Sequence, residues 1–417
     1  MTTAPAPTPE RLTATRADTL EPHHAEMIAA TLPLVGANID AITTEFYRRM
    51  FADHPELLRN LFNRSNQAQG SQQRALAASI ATYATHLVDP ALEDPAELLG
   101  RIGHKHASLG VTADQYPLVH THLFAAIVEV LGADTVTADV AAAWDRVYWL
   151  MANTLIDLER RLYADAAVDA GDVFRRARVT ARTDDPSGAV VLTVAAVSGS
   201  FPEFLPGQYV SVGTTLPDGA RQIRQYSLIN TPGSGELTFA VRPVAATTDA
   251  PAGEVSTHIA EHVVVGDLLD VSIPFGDLPV GSLGTQPLVL ISAGIGITPM
   301  VGILEHLAEH APGSRVHALH ADKSPDTHPL RQRQRELIGE LAGAGLDVWY
   351  ETSGTDEPST HHGLMQVDAI TFDEDAEFYL CGNNGFVQAV RGQLLGQGVT
   401  SNRVHCELFS PNDWLLG

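Results

Sequence analysis

The stretch GHKHASLG, residues 103–110, sets two histidines two positions apart in a chain of 417 residues. Residues on a helix advance by about 100° each, so His104 and His106 project about 200° apart. They cannot share one buried pocket. At most one of them faces inward, and the stretch alone does not say which. The sequence on both sides is helical in pattern. Ile39, Ile42, Phe46 and Met50 recur at three- and four-residue spacing, as do Trp144, Tyr148, Met151, Leu155 and Leu158. Glycine and proline are sparse between 23 and 168, which predicts an all-helical domain there. Glu159 stands four residues after Leu155 and eight after Met151, on the apolar face of its helix. A carboxylate in that position is costly without a partner, so a buried partner is expected.

Near Gly171 the pattern changes. VVLTVAAV (190–197) and ELTFAVR (236–242) read as strands, and in the second Leu237, Phe239 and Val241 alternate with Thr238 and Ala240. Proline and glycine punctuate the sequence about every 8–12 residues up to 284, the texture of a small antiparallel β-barrel over 172–284. In RQYSLIN (224–230), Arg224 can fork onto a phosphate. Tyr226 can lay its ring on a flat aromatic ligand, and Ser227 can bond to an edge atom of that ligand. LPGQY (205–209) adds Tyr209 to the same barrel, and GEVS (253–256) opens a predicted helix whose N-terminus suits a second phosphate.

From 285 to 417 strands alternate with helices, which predicts an α/β domain with a parallel sheet. PLVLIS (287–292), RVHALHA (315–321), LDVWYET (346–352) and EFYLCG (377–382) are its strands. SAGIGITPM (292–300) follows the first of them. Gly294 and Gly296 leave room for a ligand to approach the backbone, with Thr298 expected as the helix N-cap and Pro299 in the first turn. CGNNGF (381–386) ends another strand at the sheet edge where open α/β sheets bind ligands.

Composition narrows the function classes. A net charge of -24 argues against nucleic-acid binding. Cys381 and Cys406 are the two cysteines, so no CxxC or CxxCH motif exists for a zinc ribbon, a four-cysteine iron–sulfur cluster or thioether-linked haem. No uninterrupted apolar run reaches the roughly 20 residues of a membrane span. Residues 1–22 lack the basic start and apolar core of a secretory signal and are expected to form a flexible tail. A cytoplasmic location is the expectation.

RQYS, GEVS, AGIGITP, CGNNGF and the late ELFSP (407–411) together resemble the ferredoxin–NADP reductase superfamily. The upstream helical region, with FYRRMFADHPELLRNLFNRSNQ (46–67), GSQQRALAASI (70–80) and RIGHKHASLG (101–110), is similar to the globin domain of flavohaemoglobins, and the whole architecture matches that family. The resemblance implies a multidomain chain: an all-α globin, an antiparallel β-barrel for FAD and a Rossmann-like α/β domain for NADH or NADPH. It makes His106 the ligand of haem b, through KHAS, with Tyr116 and Glu159 behind it. It implies a distal pocket of Tyr47, Gln72, Leu76 and Phe62; Gln72 rather than Gln73 has the four-residue spacing to Leu76. FAD falls to Tyr209, Arg224, Gln225, Tyr226 and Ser227, with Gly253, Val255 and Ser256 at its phosphates and Glu407 and Phe409 near its ring. NAD(P)H falls to Gly294, Gly296, Thr298, Pro299, Cys381 and Gly382. One departure is IPFGDL (273–278), where Leu278 replaces an aromatic residue and is expected to loosen local packing. The implied activity is nitric oxide dioxygenase, acting on nitric oxide and O2 as a monomer with no obligate protein partner. Rival activities with the same cofactors are an NAD(P)H oxidase, diaphorase or alkylperoxide reductase, and an oxygen or nitric oxide sensor or carrier that reduces itself.

Overall fold

Pro22 opens α1 (Pro22–Asp53), where its missing amide costs nothing because a first-turn N–H has no helical partner. The computed structural model describes residues 20–60, 62–64, 70–89, 91–92, 99–248, 251–281, 283–352, 359–368 and 370–409. All but the last residues of the expected tail at 1–22 lie outside them. The described chain divides into two compact units that meet between Asp172 and Val173.

The first unit consists of α1, α2 (Pro55–Asn60), α3 (Ser71–Val88), α4 (Gly100–Leu109), α5 (Tyr116–Leu131) and α6 (Ala138–Asp165). α1 packs on α3, α5 and α6, while α4 packs on α6. Ile28, Val35, Ile42, Phe46 and Met50 bury one stripe of α1 against Leu123, Ala126, Trp144 and Val147. By length and composition α1 could cross a bilayer, with a mean hydropathy of 1.3 in its most apolar window, contrary to the reading from uninterrupted runs. Within the helical unit α1 packs one stripe inward, and 22% of that window is buried. α4 stops at Gly110, which takes a left-handed φ of 77° and returns its amide to Ala107 and His106 carbonyls.

The second unit holds two sheets. The first is antiparallel, in the order β4 (Arg221–Ser227), β3 (Tyr209–Thr215), β6 (Leu268–Ser272), β1 (Phe174–Asp184), β2 (Val190–Ala196), β5 (Glu236–Val241). A bulge between Val179 and Ala181 helps it curl. The outer strands approach at the Leu228–Phe239 bridge, so the expected barrel is a curled sheet joined there rather than along whole strands. Val179, Leu192, Val212, Phe239 and Val271 fill it, and α7 (Glu254–His262) lies beside β4 and β5.

The second sheet is parallel, in the order β10 (Thr360–His362), β9 (Gly343–Tyr350), β8 (Arg315–Asp322), β7 (Leu288–Ala293), β11 (Glu377–Gly382), β12 (Val404–Leu408). α8 (Ile297–His310), α9 (Arg331–Glu340) and α10 (Asn384–Gly396) complete it. The chain runs outward from β7 to β10, then returns to β11 on the other side of β7. That reversal opens a crevice at the carboxyl ends of β7 and β11, the ligand position of open α/β sheets. Leu278 packs among the partly buried residues of this core and lies where a side chain on Gly207 would collide with it.

Two histidines are stacked face to face, His320 on β8 and His328 six residues beyond the strand's end, with centroids 3.7 Å apart. They are 0% and 2% exposed. Burial first, then neighbouring positive charge at His328, holds both below the ordinary imidazole range; at His320 the nearby Asp322 only partly offsets burial. Unfolding frees them to protonate near 6.5. Their contribution to stability is therefore present above that pH and lost as pH falls toward the folded values. Each costs about 1.4 kcal/mol per pH unit while the unfolded chain holds the extra proton. The melting temperature of the second unit is expected to drop between pH 6.5 and 5, with a shallower slope in His328→Gln. Calorimetry against pH checks this; equal slopes in both proteins would exclude the pair as the cause.

Candidate functional site

In the helical unit, the sequence places an imidazole on α4, a phenol at the start of α5 and a carboxylate on α6, and the fold brings the three together. His106 Nδ1 lies 2.9 Å from Glu159 Oε1 and 3.2 Å from Tyr116 Oη, and Tyr116 donates to Glu159 at 2.6 Å. Glu159 is 2% exposed, so the partner expected for it exists. Burial, and next the charge of Glu159, pushes the Tyr116 phenol far above its usual range. It keeps its proton and remains a donor. Tyr148 fixes the backbone there by donating to the Tyr116 carbonyl at 2.7 Å, and Tyr163 donates to Val111 O at 2.6 Å.

Close approach of α4 to α6 depends on Gly103. Any side chain there would collide with Leu158, the neighbour of Glu159. This positioning role was not read from the sequence, although a glycine three residues before a functional histidine on a helix is a usable signal. His104 is half-buried rather than fully solvated, and it engages other groups of the protein.

On α1, Tyr47 is buried and joins an aromatic group with Phe51 at 5.6 Å and Phe62 at 6.0 Å. Leu76 on α3 packs at the same core. Gln72, one turn earlier, has a buried Oε1 with no hydrogen-bond partner. A neutral imidazole whose Nδ1–H is already taken leaves Nε2 as a metal ligand. The aromatic group around Tyr47 and Phe62, with Leu76 and the partnerless Gln72 oxygen on α3, is chemistry that suits a large planar group such as haem.

In the curled sheet, RQYS lies on β4. Ser227 is buried opposite Tyr209 on β3. Tyr209 is anchored by paired backbone bonds to Phe275 at 2.8 and 2.9 Å. Gln225 Nε2 donates to Ser211 Oγ at 3.0 Å, and Arg224 Nη1 donates to Ile223 O at 2.8 Å. Tyr226 stacks on Phe239 at 5.4 Å and 15°. Its buried hydroxyl has no partner, and burial raises its pKa above the usual range. An aromatic ring with an orphaned hydroxyl at the end of a strand fits a flavin. Gly253 caps α7, with Val255 buried behind it. Ser256 receives the Val244 amide at 3.2 Å and its hydroxyl reaches Gly253 O at 3.3 Å, which shapes the turn offered to phosphate.

In the parallel sheet, Gly294 adopts a φ of +53°. A Cβ on Gly296 would lie 2.5 Å from Cys381 O. The β7 turn and the Cys381–Gly382 strand end are thus in close contact. Thr298 is not the N-cap: Gly296 holds that position, and Thr298 Oγ1 donates back to Ile295 O at 2.9 Å from inside the first turn. A helix beginning two residues early, at Ile297 rather than Pro299, makes the difference. Pro299 and Cys381 are buried. Glu407 on β12 is buried, whereas Phe409 just beyond is 45% exposed. The cradle of bare backbone at a helix N-terminus fits the diphosphate of a dinucleotide.

An imidazole bonded to a buried carboxylate in a helical unit, followed in the chain by a curled sheet and a dinucleotide-type α/β sheet, fits a haem protein fused to a flavin reductase. Residues 44–155 match the globin family, and 290–392 match the oxidoreductase NAD-binding domain. The chain is 39% identical to the flavohemoprotein of Bordetella parapertussis over 94% of its own length and 98% of that protein's. It is 38% identical to that of Chromobacterium violaceum, over 93% and 97%. The flavohemoglobin of Malassezia yamatoensis, solved with bound FAD and haem, superposes with a TM-score of 0.84 at 34% identity, covering 94% of this chain and all of that one. The FAD/NAD-binding domain of nitric oxide dioxygenase from Vibrio cholerae covers 57% of this chain and 99% of that one, at 34% identity and a TM-score of 0.53. The chain belongs to the flavohemoprotein family.

Proposed function

We propose that the protein is a nitric oxide dioxygenase that converts nitric oxide and O2 to nitrate with electrons from NADH or NADPH. The observation that carries the reading is the Glu159–His106–Tyr116 group. When bound, the nicotinamide supplies hydride, FAD divides it into single electrons, and haem b supplies the redox iron at which the two gases combine.

His106 would hold the haem iron through Nε2. Glu159 accepts the Nδ1 proton and makes the imidazole a stronger donor, a setting suited to oxygen chemistry rather than storage. Tyr116 fixes that carboxylate. Tyr47 and Gln72 offer hydrogen-bonding groups on the opposite side, with Leu76 and Phe62 excluding water. Tyr209, Arg224, Gln225, Tyr226, Ser227, Gly253, Val255 and Ser256 hold FAD, with Glu407 and Phe409 near its ring. Gly294, Gly296, Thr298, Pro299, Cys381 and Gly382 receive the nicotinamide dinucleotide. The domain limits are 23–168, 172–284 and 285–417. The enzyme acts as a cytoplasmic monomer, and one chain raises the effective concentration of donor and acceptor for each other.

With purified holoenzyme, two nitrate ions are expected per NADH oxidised, with little superoxide. NADH oxidation that yields superoxide or peroxide at the same rate with and without nitric oxide would replace this reading by an oxidase.

A further inference from the structure

Two helices of the second unit end on the same five-residue pattern. HIAEH (258–262) closes α7, and HLAEH (306–310) closes α8. Each sets two histidines four positions apart, with a glutamate just before the second. Positions i and i+4 share one face of a helix, one turn above the other, and the imidazoles are stacked accordingly. The rings of His258 and His262 have centroids 5.0 Å apart and planes at 13°. Those of His306 and His310 are 4.5 Å apart at 20°. The first member of each pair is half-buried and the second is exposed.

The α8 pair shows which nitrogens are available. His310 Nδ1 lies 3.1 Å from His306 O. A carbonyl only accepts, so Nδ1 carries the proton and Nε2 keeps its lone pair. His306 Nδ1 is buried with no hydrogen-bond partner, which leaves Nε2 as the nitrogen a solvent cation can reach. Burial first, then the neighbouring histidine, lowers the pKa of His258 and of His306. Both rings are therefore neutral at pH 7, the form that ligates a metal. The surroundings favour a cation. Each pair sits in the last turn of its helix, at the negative end of the dipole. The charge of Glu309 also acts on His306, against the effect of burial. Among the described residues no group of three or more histidine, cysteine or acidic side chains is placed to hold a metal. The protein thus offers two imidazoles per site, and water completes the shell. That donor set suits Cu2+, Ni2+ or Zn2+; Mg2+ and Ca2+ require oxygen ligands.

We propose that His306 with His310, and likewise His258 with His262, are two-imidazole clamps for an exchangeable divalent transition-metal ion, each pinning the last turn of its helix. The bond from His310 to His306 O survives ligation, because it uses the other nitrogen and holds the ring in orientation.

The test uses full-length holoenzyme, with haem and FAD bound, freed of loose metal by a chelator and gel filtration. Ni2+ is titrated by calorimetry, and substoichiometric Cu2+ is read by electron paramagnetic resonance. Uptake of two Ni2+ per chain is expected, with coupling of Cu2+ to two nitrogens. His306→Asn and His310→Asn should each weaken one Ni2+ site about tenfold or more, because the second ring no longer chelates. His262→Asn should do the same to the other site. Ni2+ should raise the melting temperature of the second unit in the parent protein, by mass action, and not in the His262→Asn, His310→Asn double variant. With chelator present, all variants should melt with the parent and pass electrons from NADH to flavin at its rate, which separates loss of a ligand from damage to the fold. Unchanged Ni2+ affinity in the single variants would overturn the proposal. So would coupling of Cu2+ to one nitrogen only, or displacement of Ni2+ by Mg2+ at similar concentration, which would assign the cation to carboxylates.

Discussion

His106→Ala is expected to abolish the haem Soret band after reconstitution with haemin, while the flavin spectrum and NADH-dependent ferricyanide reduction persist. On the proposed assignment His106 would hold the haem iron, and its two polar neighbours would not substitute for it. Glu159 is buried against Tyr116, which donates to it at 2.6 Å. In the variant that carboxylate loses its His106 bond, which costs about 1–3 kcal/mol of stability in the helical unit. A lower melting temperature of that unit should accompany the spectral loss. His104→Ala is the control, and it should bind haem normally because the other histidine carries the Glu159 contact. Loss of the Soret band in His104→Ala, with retention in His106→Ala, would reverse the assignment.

That choice shows where the sequence was legible and where it was not. Two positions apart on a helix is enough to say that the histidines diverge. It is not enough to say which turns inward, because the deciding partners are ten and 53 residues away along the chain. Family resemblance supplied the answer from KHAS, and the fold supplied the physical reason. Glu159 was legible without the resemblance, since a carboxylate on an apolar stripe needs a partner. The strand sequences 190–197 and 236–242 were legible from alternation, and the α/β half from short apolar runs before glycine turns. Gly103 was not. Its role arises from a contact with Leu158 on a helix distant in sequence, and it disturbs no local periodicity. Thr298 failed for a smaller reason: a Thr-Pro pair marks a helix start, but the glycine two residues earlier could begin the turn as well.

Glu159→Gln is the second large effect expected, and it separates charge from shape. The amide is nearly isosteric with the carboxylate, so the contacts with His106 and Tyr116 keep their geometry within a few tenths of an ångström. What changes is the acceptor's charge. An anionic acceptor draws the Nδ1 proton of His106 and makes the imidazole a stronger donor, which favours the oxidised metal. Hydrogen bonds to charged groups are worth about 1.5–3 kcal/mol against about 1 for neutral ones. A difference of 1.4 kcal/mol between oxidation states corresponds to about 60 mV for one electron. The haem midpoint potential of Glu159→Gln is therefore expected to rise on the order of 60 mV, with slower nitrate formation and unchanged flavin reduction by NADH. Spectroelectrochemical titration measures the potential, and anaerobic flavin reduction measured beside it locates the defect. Tyr116→Phe keeps the carboxylate charged and should shift the potential less, in the opposite direction, because Glu159 then has one competing donor fewer. A purely structural role for Glu159 would lower haem affinity in both variants and leave the two potentials equal to that of the parent protein.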